Sequence, residues 1–203
     1  MIKNIIFDFG DIFINLDKKK FAKELQNLGI SQESEANLPI LNDYEMGLIS
    51  TEEFVAFFEA KFNVPKEKLI KAWNSILLDF PEKRLKFIQE LSESNKYRLF
   101  LLSNTNDLHI SWVKNDWNLA LYTAFKGCFE QFYLTHEIHL RKPNLNIYEF
   151  VLNENNLIAE ETLFIDDTKE NTDAANSLGI HVWNLIPGQE DVTELFVKKE
   201  FLF

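Results

Sequence analysis

Ile5-Ile6-Phe7-Asp8, Leu99-Phe100-Leu101-Leu102-Ser103-Asn104 and Leu163-Phe164-Ile165-Asp166-Asp167 are three apolar runs that each stop abruptly in polar residues. Short, nearly continuous apolar runs suit strands buried on both faces, as in a parallel sheet flanked by helices. In such sheets ligands bind outside the carboxyl ends of the strands. Neighbouring strands of this kind would bring their tips to one small site holding three carboxylates and a hydroxyl. Clustered carboxylates repel one another unless a cation such as Mg²⁺ joins them. The tips therefore point to metal or phosphate chemistry.

The rest of the chain fits an α/β fold around those strands. A first strand is expected over 3–9, followed by a charged, mostly helical stretch over 18–79. Within that stretch Ser50-Thr51-Glu52-Glu53 has the form of a capping box, and Phe54, Phe57, Phe58 and Phe62 recur at helical spacing. Pro65 and Pro81 sit where further helices would begin. Strands are expected at 97–102, 131–134, 162–165 and 180–185, with helices at 106–117, 145–153 and 170–178 between them. The expected architecture is a Rossmann-like parallel sheet (1–16 and 81–203) with a small α-helical cap (17–80) inserted after the first strand. Such an insertion would lie over the carboxyl ends, where substrate arrives.

Composition narrows the function classes. The 203 residues suit one domain with a small insertion, and 46% hydrophobic content suffices for a sizeable core, rich in Phe with 19 against 2 Met. A net charge of −11 disfavours nucleic acid and anionic membranes as partners. The single cysteine, Cys128, rules out an internal disulfide and fits a reducing, cytoplasmic setting. No run approaches the length of a membrane span, and the N-terminal stretch is too short and too acidic for a signal peptide. His136 and His139 lack the companions of a zinc site, Cys128 lacks a visible base, and the Phe stripe suits cap core.

With these residues in view, the chain resembles the haloacid dehalogenase superfamily, whose four motifs occur in the same order. They are Asp8-Phe9-Gly10, Leu101-Leu102-Ser103-Asn104-Thr105, Arg141-Lys142-Pro143 with Ile147-Tyr148, and Phe164-Ile165-Asp166-Asp167. Glu45-Met46-Gly47-Leu48-Ile49-Ser50 also resembles the signature of a small-capped subgroup that includes bacterial glucose 1-phosphate phosphatases. The resemblance implies a Mg²⁺-dependent phosphatase of small phosphorylated metabolites, sugar phosphates among them, acting as monomer or homodimer. Asp8 would form an aspartyl-phosphate, and Lys142 would neutralise nucleophile and phosphoryl charge. Ser103 and Asn104 would hold phosphoryl oxygens, with Glu45, and next to it Tyr44 and Met46, touching substrate. Asp8, the Gly10 carbonyl and Asp167 would hold Mg²⁺, with Asp166 as ligand or support and Asn171 as a loop support or plain cap.

One position departs from the pattern. Most phosphatases of the superfamily place a second Asp two residues after the nucleophile as general acid–base, and here that position is Gly10. The glucose 1-phosphate-like subgroup shares this Gly, so hydrolysis stands, with expectation shifted toward leaving groups that need less protonation. Asp11 is left open as a substitute acid. Two other readings compete: a catalytically weak or inactive binding protein, supported by Gly10 alone, and a 2-haloacid dehalogenase, opposed by the Asp166-Asp167 pair.

Overall fold

The computed structural model describes residues 1–31 and 38–203. The part of the expected helical stretch at 32–37 lies outside the described residues. Five strands form one sheet: β1 (Asn4–Phe7), β2 (Arg98–Ser103), β3 (Gln131–Leu134), β4 (Thr162–Asp166) and β5 (His181–Asn184). The order is β3-β2-β1-β4-β5 and every pairing is parallel. The expected α/β sheet is therefore present, with the three polar-tipped strands side by side. Phe7 pairs in register with Leu101 on one side and Ile165 on the other. The next residues, Asp8, Leu102 and Asp166, thus stand level at the carboxyl edge.

The apolar runs are continuous because both sheet faces are covered. Ile5, Phe7, Leu99, Leu101, Leu163 and Ile165 belong to one core cluster. Ile6, Phe100, Leu102 and Phe164 alternate with them and belong to a second. The first face meets α5 (Glu82–Glu93), α6 (Asp107–Asp116) and α7 (Asn118–Lys126) through Ile88, Val113 and Phe125. The second meets α9 (Leu145–Glu154) and α10 (Lys169–Ser177) through Tyr148, Val151 and Ala175. Two short helices, α8 (Thr135–Ile138) and α11 (Leu195–Lys198), complete this part. The first strand stops two residues before the expected Phe9: the Asp8 amide still donates to the Ile165 carbonyl at 2.8 Å, and the chain bends at Phe9. Helix α7 differs from expectation; it is parted from α6 at Trp117 and begins at Asn118, which takes a left-handed conformation at φ 62°.

Between β1 and β2 the chain builds α1 (Lys18–Asn27), α2 (Pro39–Glu45), α3 (Thr51–Phe62) and α4 (Lys66–Asn74) around a third apolar cluster. The capping box forms as expected: the Glu53 amide donates to Ser50 Oγ at 3.2 Å, and the Ser50 amide to Glu53 Oε2 at 2.8 Å. Tyr44 and Phe54 stack with ring centres 4.1 Å apart, and Phe54 meets Trp73 edge-on at 4.8 Å. The Phe54 and Phe58 rings are wholly buried here, so the stripe is core.

This segment is clasped to the sheet domain by directed contacts. The Leu108 amide donates to Tyr44 Oη at 3.2 Å, His139 Nδ1 to the Met46 carbonyl at 2.8 Å and His109 Nε2 to the Trp73 carbonyl at 3.2 Å. Gly47, at φ +63°, lies so close to α8 opposite that a Cβ there would be 2.0 Å from the His136 carbonyl oxygen. Gly47→Ala therefore adds a left-handed backbone cost of about 1–2 kcal/mol to a backbone collision. We expect its Tm to fall by about 3–8 °C in thermal unfolding, and an unchanged Tm would refute the close approach.

Candidate active site

Strand ends supply the site. Asp8 follows β1, Ser103 closes β2, Asp166 closes β4 with Asp167 next, and Lys142 comes from the loop before α9. The structure brings Asp8, Lys142, Asp166, Asp167, Gly10 and Asn104 together in or beside one cleft. Ser103, Asn104, Gly10 and Glu45 line an adjoining cavity.

Lys142 is the hub. Its side chain is 1% exposed, and Nζ donates to Asp8 Oδ1 at 2.7 Å, Asp166 Oδ2 at 2.6 Å and the Leu102 carbonyl at 2.9 Å. All three ammonium protons have acceptors, which is how a buried lysine stays charged. Burial pulls its pKa down, but the Asp166 and Asp8 carboxylates outweigh that and raise it. Burial pushes Asp8 up to about 7; Lys142 opposes this, while Asp166 and Asp167 add repulsion.

Asp166 and Asp167 are neighbours with different surroundings. Asp166 is fully buried, and Oδ1 accepts from the Thr168 amide at 2.8 Å. Asn171 Nδ2 lies 3.1 Å from both of its oxygens, so Asn171 supports this carboxylate rather than standing as a plain cap. Asp167 faces the cleft, where Lys18 Nζ bridges its Oδ2 at 2.7 Å and Asp11 Oδ2 at 2.8 Å. Burial lowers Lys18, yet hydrogen bonds to Asp11 and Asp167 raise it well beyond the usual lysine range. Asp11 also accepts from the Leu16 amide at 3.1 Å through Oδ1, so both of its oxygens have partners within the fold.

Other expected residues take different positions. Asn104 does not offer a free amide: its Oδ1 accepts from the Lys142 amide at 3.0 Å and its Nδ2 donates to the Lys142 carbonyl at 2.9 Å. Glu45 pairs with Arg141 Nε at 2.6 Å and keeps its second oxygen without a partner among the described residues. Tyr44 holds Thr51 and Leu108, and Met46 holds His139, so both belong to the clasp. Cys128 is buried, donates to the Ala124 carbonyl at 3.4 Å, and its thiol is pushed up by burial. Sequence reasoning missed Lys18, because Lys18-Lys19-Lys20 looks like an ordinary solvated helix start. It also missed Leu16, whose Cδ1 is 2.9 Å from where a Cβ on Gly10 would sit.

The donor set fits a hard divalent cation. Asp8, Asp166 and Asp167 can each offer a carboxylate oxygen within 4.8 Å of the others, and all-oxygen ligation suits Mg²⁺ rather than a softer metal. Asp8 Oδ1 and both Asp166 oxygens are held by hydrogen bonds, whereas Asp8 Oδ2 has no partner among the described residues, and Asp167 in the cleft carries Lys18 on Oδ2 and a 3.4 Å contact from Thr168 Oγ1 on Oδ1. A carboxylate binds metal only when ionised. Asp8, raised in the fold, favours stability below its ordinary carboxyl range and loses that contribution as pH rises through about 7. Mg²⁺ should therefore raise Tm more at about pH 8 than at about pH 5.5. Equal shifts at both pH values in a thermal-shift titration would remove Asp8 from the metal's ligands.

Comparison with known proteins agrees with this arrangement. The family model for haloacid dehalogenase-like hydrolases matches residues 5–185. A D-ribitol-5-phosphate phosphatase of Bacteroides thetaiotaomicron is 27% identical over 205 residues, covering 97% of this chain and 98% of the relative. Among solved structures, the enzyme bt-2542 of the same organism, a mutant in complex with magnesium and inorganic phosphate, superposes with a TM-score of 0.84 at 33% identity, over 97% of this chain and 99% of that one. A predicted hydrolase from Porphyromonas gingivalis superposes at 0.85 with 27% identity, over 100% and 98%. On motifs, sheet order and family match together, this chain belongs to the haloacid dehalogenase-like hydrolases.

Proposed function

We propose that Asp8 is the nucleophile of this hydrolase and Lys142 its principal charge-neutralising residue. The chain is a Mg²⁺-dependent phosphatase of small phosphorylated metabolites. The observation that carries the residue assignment is the Lys142 ammonium placed 2.7 Å from one Asp8 oxygen while the other faces the cleft. Lys142 holds Asp8 in a fixed orientation and offsets the charge that gathers during attack. The free oxygen attacks phosphorus, the ester P–O bond breaks, and the alkoxide departs with its electron pair and takes a proton from solvent water. Water then cleaves the aspartyl-phosphate, releasing inorganic phosphate and restoring Asp8.

Asp8, Asp167 and the Gly10 carbonyl would hold Mg²⁺, which when bound would further neutralise phosphoryl charge. Asp166 we assign to positioning Lys142 and the loop at Thr168. Ser103 we assign to a phosphoryl oxygen, and the Asn104 side chain to fixing the Lys142 backbone, so that Asn104 would meet the phosphoryl group through its backbone N–H. With Gly10 and an engaged Asp11, no carboxyl of the first loop is placed to protonate the alkoxide. The α1–α4 segment is read as a cap, the division being 17–80 against 1–16 and 81–203. Among the described residues no helix is long and apolar enough to cross a membrane. Charge and the lone buried Cys128 favour a cytoplasmic enzyme, monomer or homodimer, that does not bind nucleic acid.

Asp8→Asn should lower phosphate release by at least about 10³-fold, and Ser103→Ala by about 10–10²-fold, with folding intact by circular dichroism. Chelation of Mg²⁺ should abolish turnover reversibly. Hydrolysis by Asp8→Asn at the wild-type rate would overturn the assignment.

A further inference from the structure

Arg141 and Glu45 form an ion pair across the boundary between the sheet domain and the helical segment, with Nε donating to Oε2 at 2.6 Å. Arg141 lines the cleft that holds Asp8, Lys142 and Asp167, and Glu45 lines a cavity of about 220 Å³ beside it. The pair thus spans the junction of the two spaces, which share Gly10, Leu16 and Asn104 in their walls.

Both ends are mounted on fixed backbone. Lys142, next to Arg141, is held through its N–H and C=O by Asn104, and the Asn144 amide donates to the Arg141 carbonyl at 3.1 Å. Glu45 closes α2 between Tyr44, whose hydroxyl meets Thr51 and Leu108, and Met46, whose carbonyl meets His139. A partly exposed ion pair contributes little to stability, so stability alone gives no reason to hold this one so firmly.

The pair is also half used. Glu45 Oε1 and both Arg141 Nη atoms have no partner among the described residues. The Arg141 and Glu45 side chains are 30% and 29% exposed, and none of these atoms is buried. A hydroxyl set against them can donate to Oε1 and accept from Nη at once. A second anion is a poor match, because Glu45 already offsets the Arg141 charge and its free oxygen repels a carboxylate. The cavity suits the same class. Phe9, Leu16, Phe21, Leu41, Trp73 and Leu77 supply much of its wall and would face the carbon chain of an alcohol. On that wall the Thr105 hydroxyl is free as well, since Thr135 Oγ1 pairs with the Thr105 amide and carbonyl. We propose that the Glu45–Arg141 pair selects phosphate monoesters of a neutral, further hydroxylated alcohol over those of a bare hydrocarbon or a carboxylated one. The two residues are thereby specificity-determining, one from each side of the junction. This rests on the phosphatase reading above.

The test is kcat/KM of the Mg²⁺-loaded full chain on matched esters of one carbon length: glycerol 1-phosphate, propyl phosphate and 3-phosphoglycerate. Acetyl phosphate, with no body to place in the cavity, serves as control. We expect glycerol 1-phosphate to exceed each of the other two by at least about tenfold. Arg141→Met and Glu45→Met should each bring the glycerol-to-propyl ratio down to about two or less. A pair that merely joined the two parts of the molecule would lower both esters alike and leave that ratio intact. Glu45→Met carries a second signature, because it strips Arg141 of its counter-charge. Turnover of 3-phosphoglycerate should then rise at least about fivefold relative to glycerol 1-phosphate. Acetyl phosphate hydrolysed, with glycerol 1-phosphate no better than propyl phosphate or 3-phosphoglycerate, would overturn the preference and leave the phosphatase standing. A glycerol-to-propyl ratio unchanged in both variants would remove the pair from recognition. Failure to hydrolyse acetyl phosphate would remove the phosphatase reading and this proposal with it.

Discussion

A single buried ammonium organises the catalytic end of this molecule. Lys142 sits among two carboxylates and a strand-end carbonyl, with no water-facing surface to speak of. Removing one partner of such a group typically costs about 3–5 kcal/mol, because the remaining charge is left buried and uncompensated. The surrounding structure must therefore keep β1, β2 and β4 in register, since each contributes one of the acceptors or the residue beside it. The parallel sheet, with β1 at its centre, meets that demand: Asp8, Leu102 and Asp166 emerge at the same level. Sheet order and site chemistry are here one constraint.

The two aspartates after β4 show how environment divides labour between identical side chains. Asp166 is enclosed and fully hydrogen-bonded, whereas Asp167 keeps its carboxylate in the cleft, matched by Lys18. Lys18 begins α1, so the first turn of the helical segment carries a charge that balances the sheet edge. The clasp through Tyr44, Gly47, Trp73 and Glu45 places the segment's other end against the first turn of α6, which carries His109, against α8, and against the loop that carries Arg141. The result is a site with an ionic half and an apolar half, meeting at Gly10 and Leu16.

Much of this was legible in the sequence, for physical reasons that particular residues display. The strands could be read because burial on both faces leaves no polar break in Ile5-Ile6-Phe7 or Leu163-Phe164-Ile165. The capping box at Ser50 and Glu53 is local chemistry and needs no knowledge of the fold. Asp8 and Lys142 could be placed through the order of the motifs, though nothing in the sequence shows that a lysine over a hundred residues away lies 2.7 Å from Asp8. Lys18 was illegible because three successive lysines give no sign of which one turns inward. The break at Asn118 was missed because Asn tolerates the left-handed region without requiring it. The engagement of Asn104 was missed for a related reason: a polar side chain after a strand can face a ligand or its own backbone, and only the course of the 141–143 loop decides.

That engagement has a consequence of its own. Asn104 meets both the N–H and the C=O of Lys142, as a peptide unit in a neighbouring strand would. The carboxamide thus acts as one extra rung of a ladder, continuing past the end of β2 to a loop that has no strand to offer. Aspartate has no donor for the Lys142 carbonyl, and serine is too short to span both groups. Asparagine is held at this position by the grammar of backbone pairing, written one residue beyond the sheet.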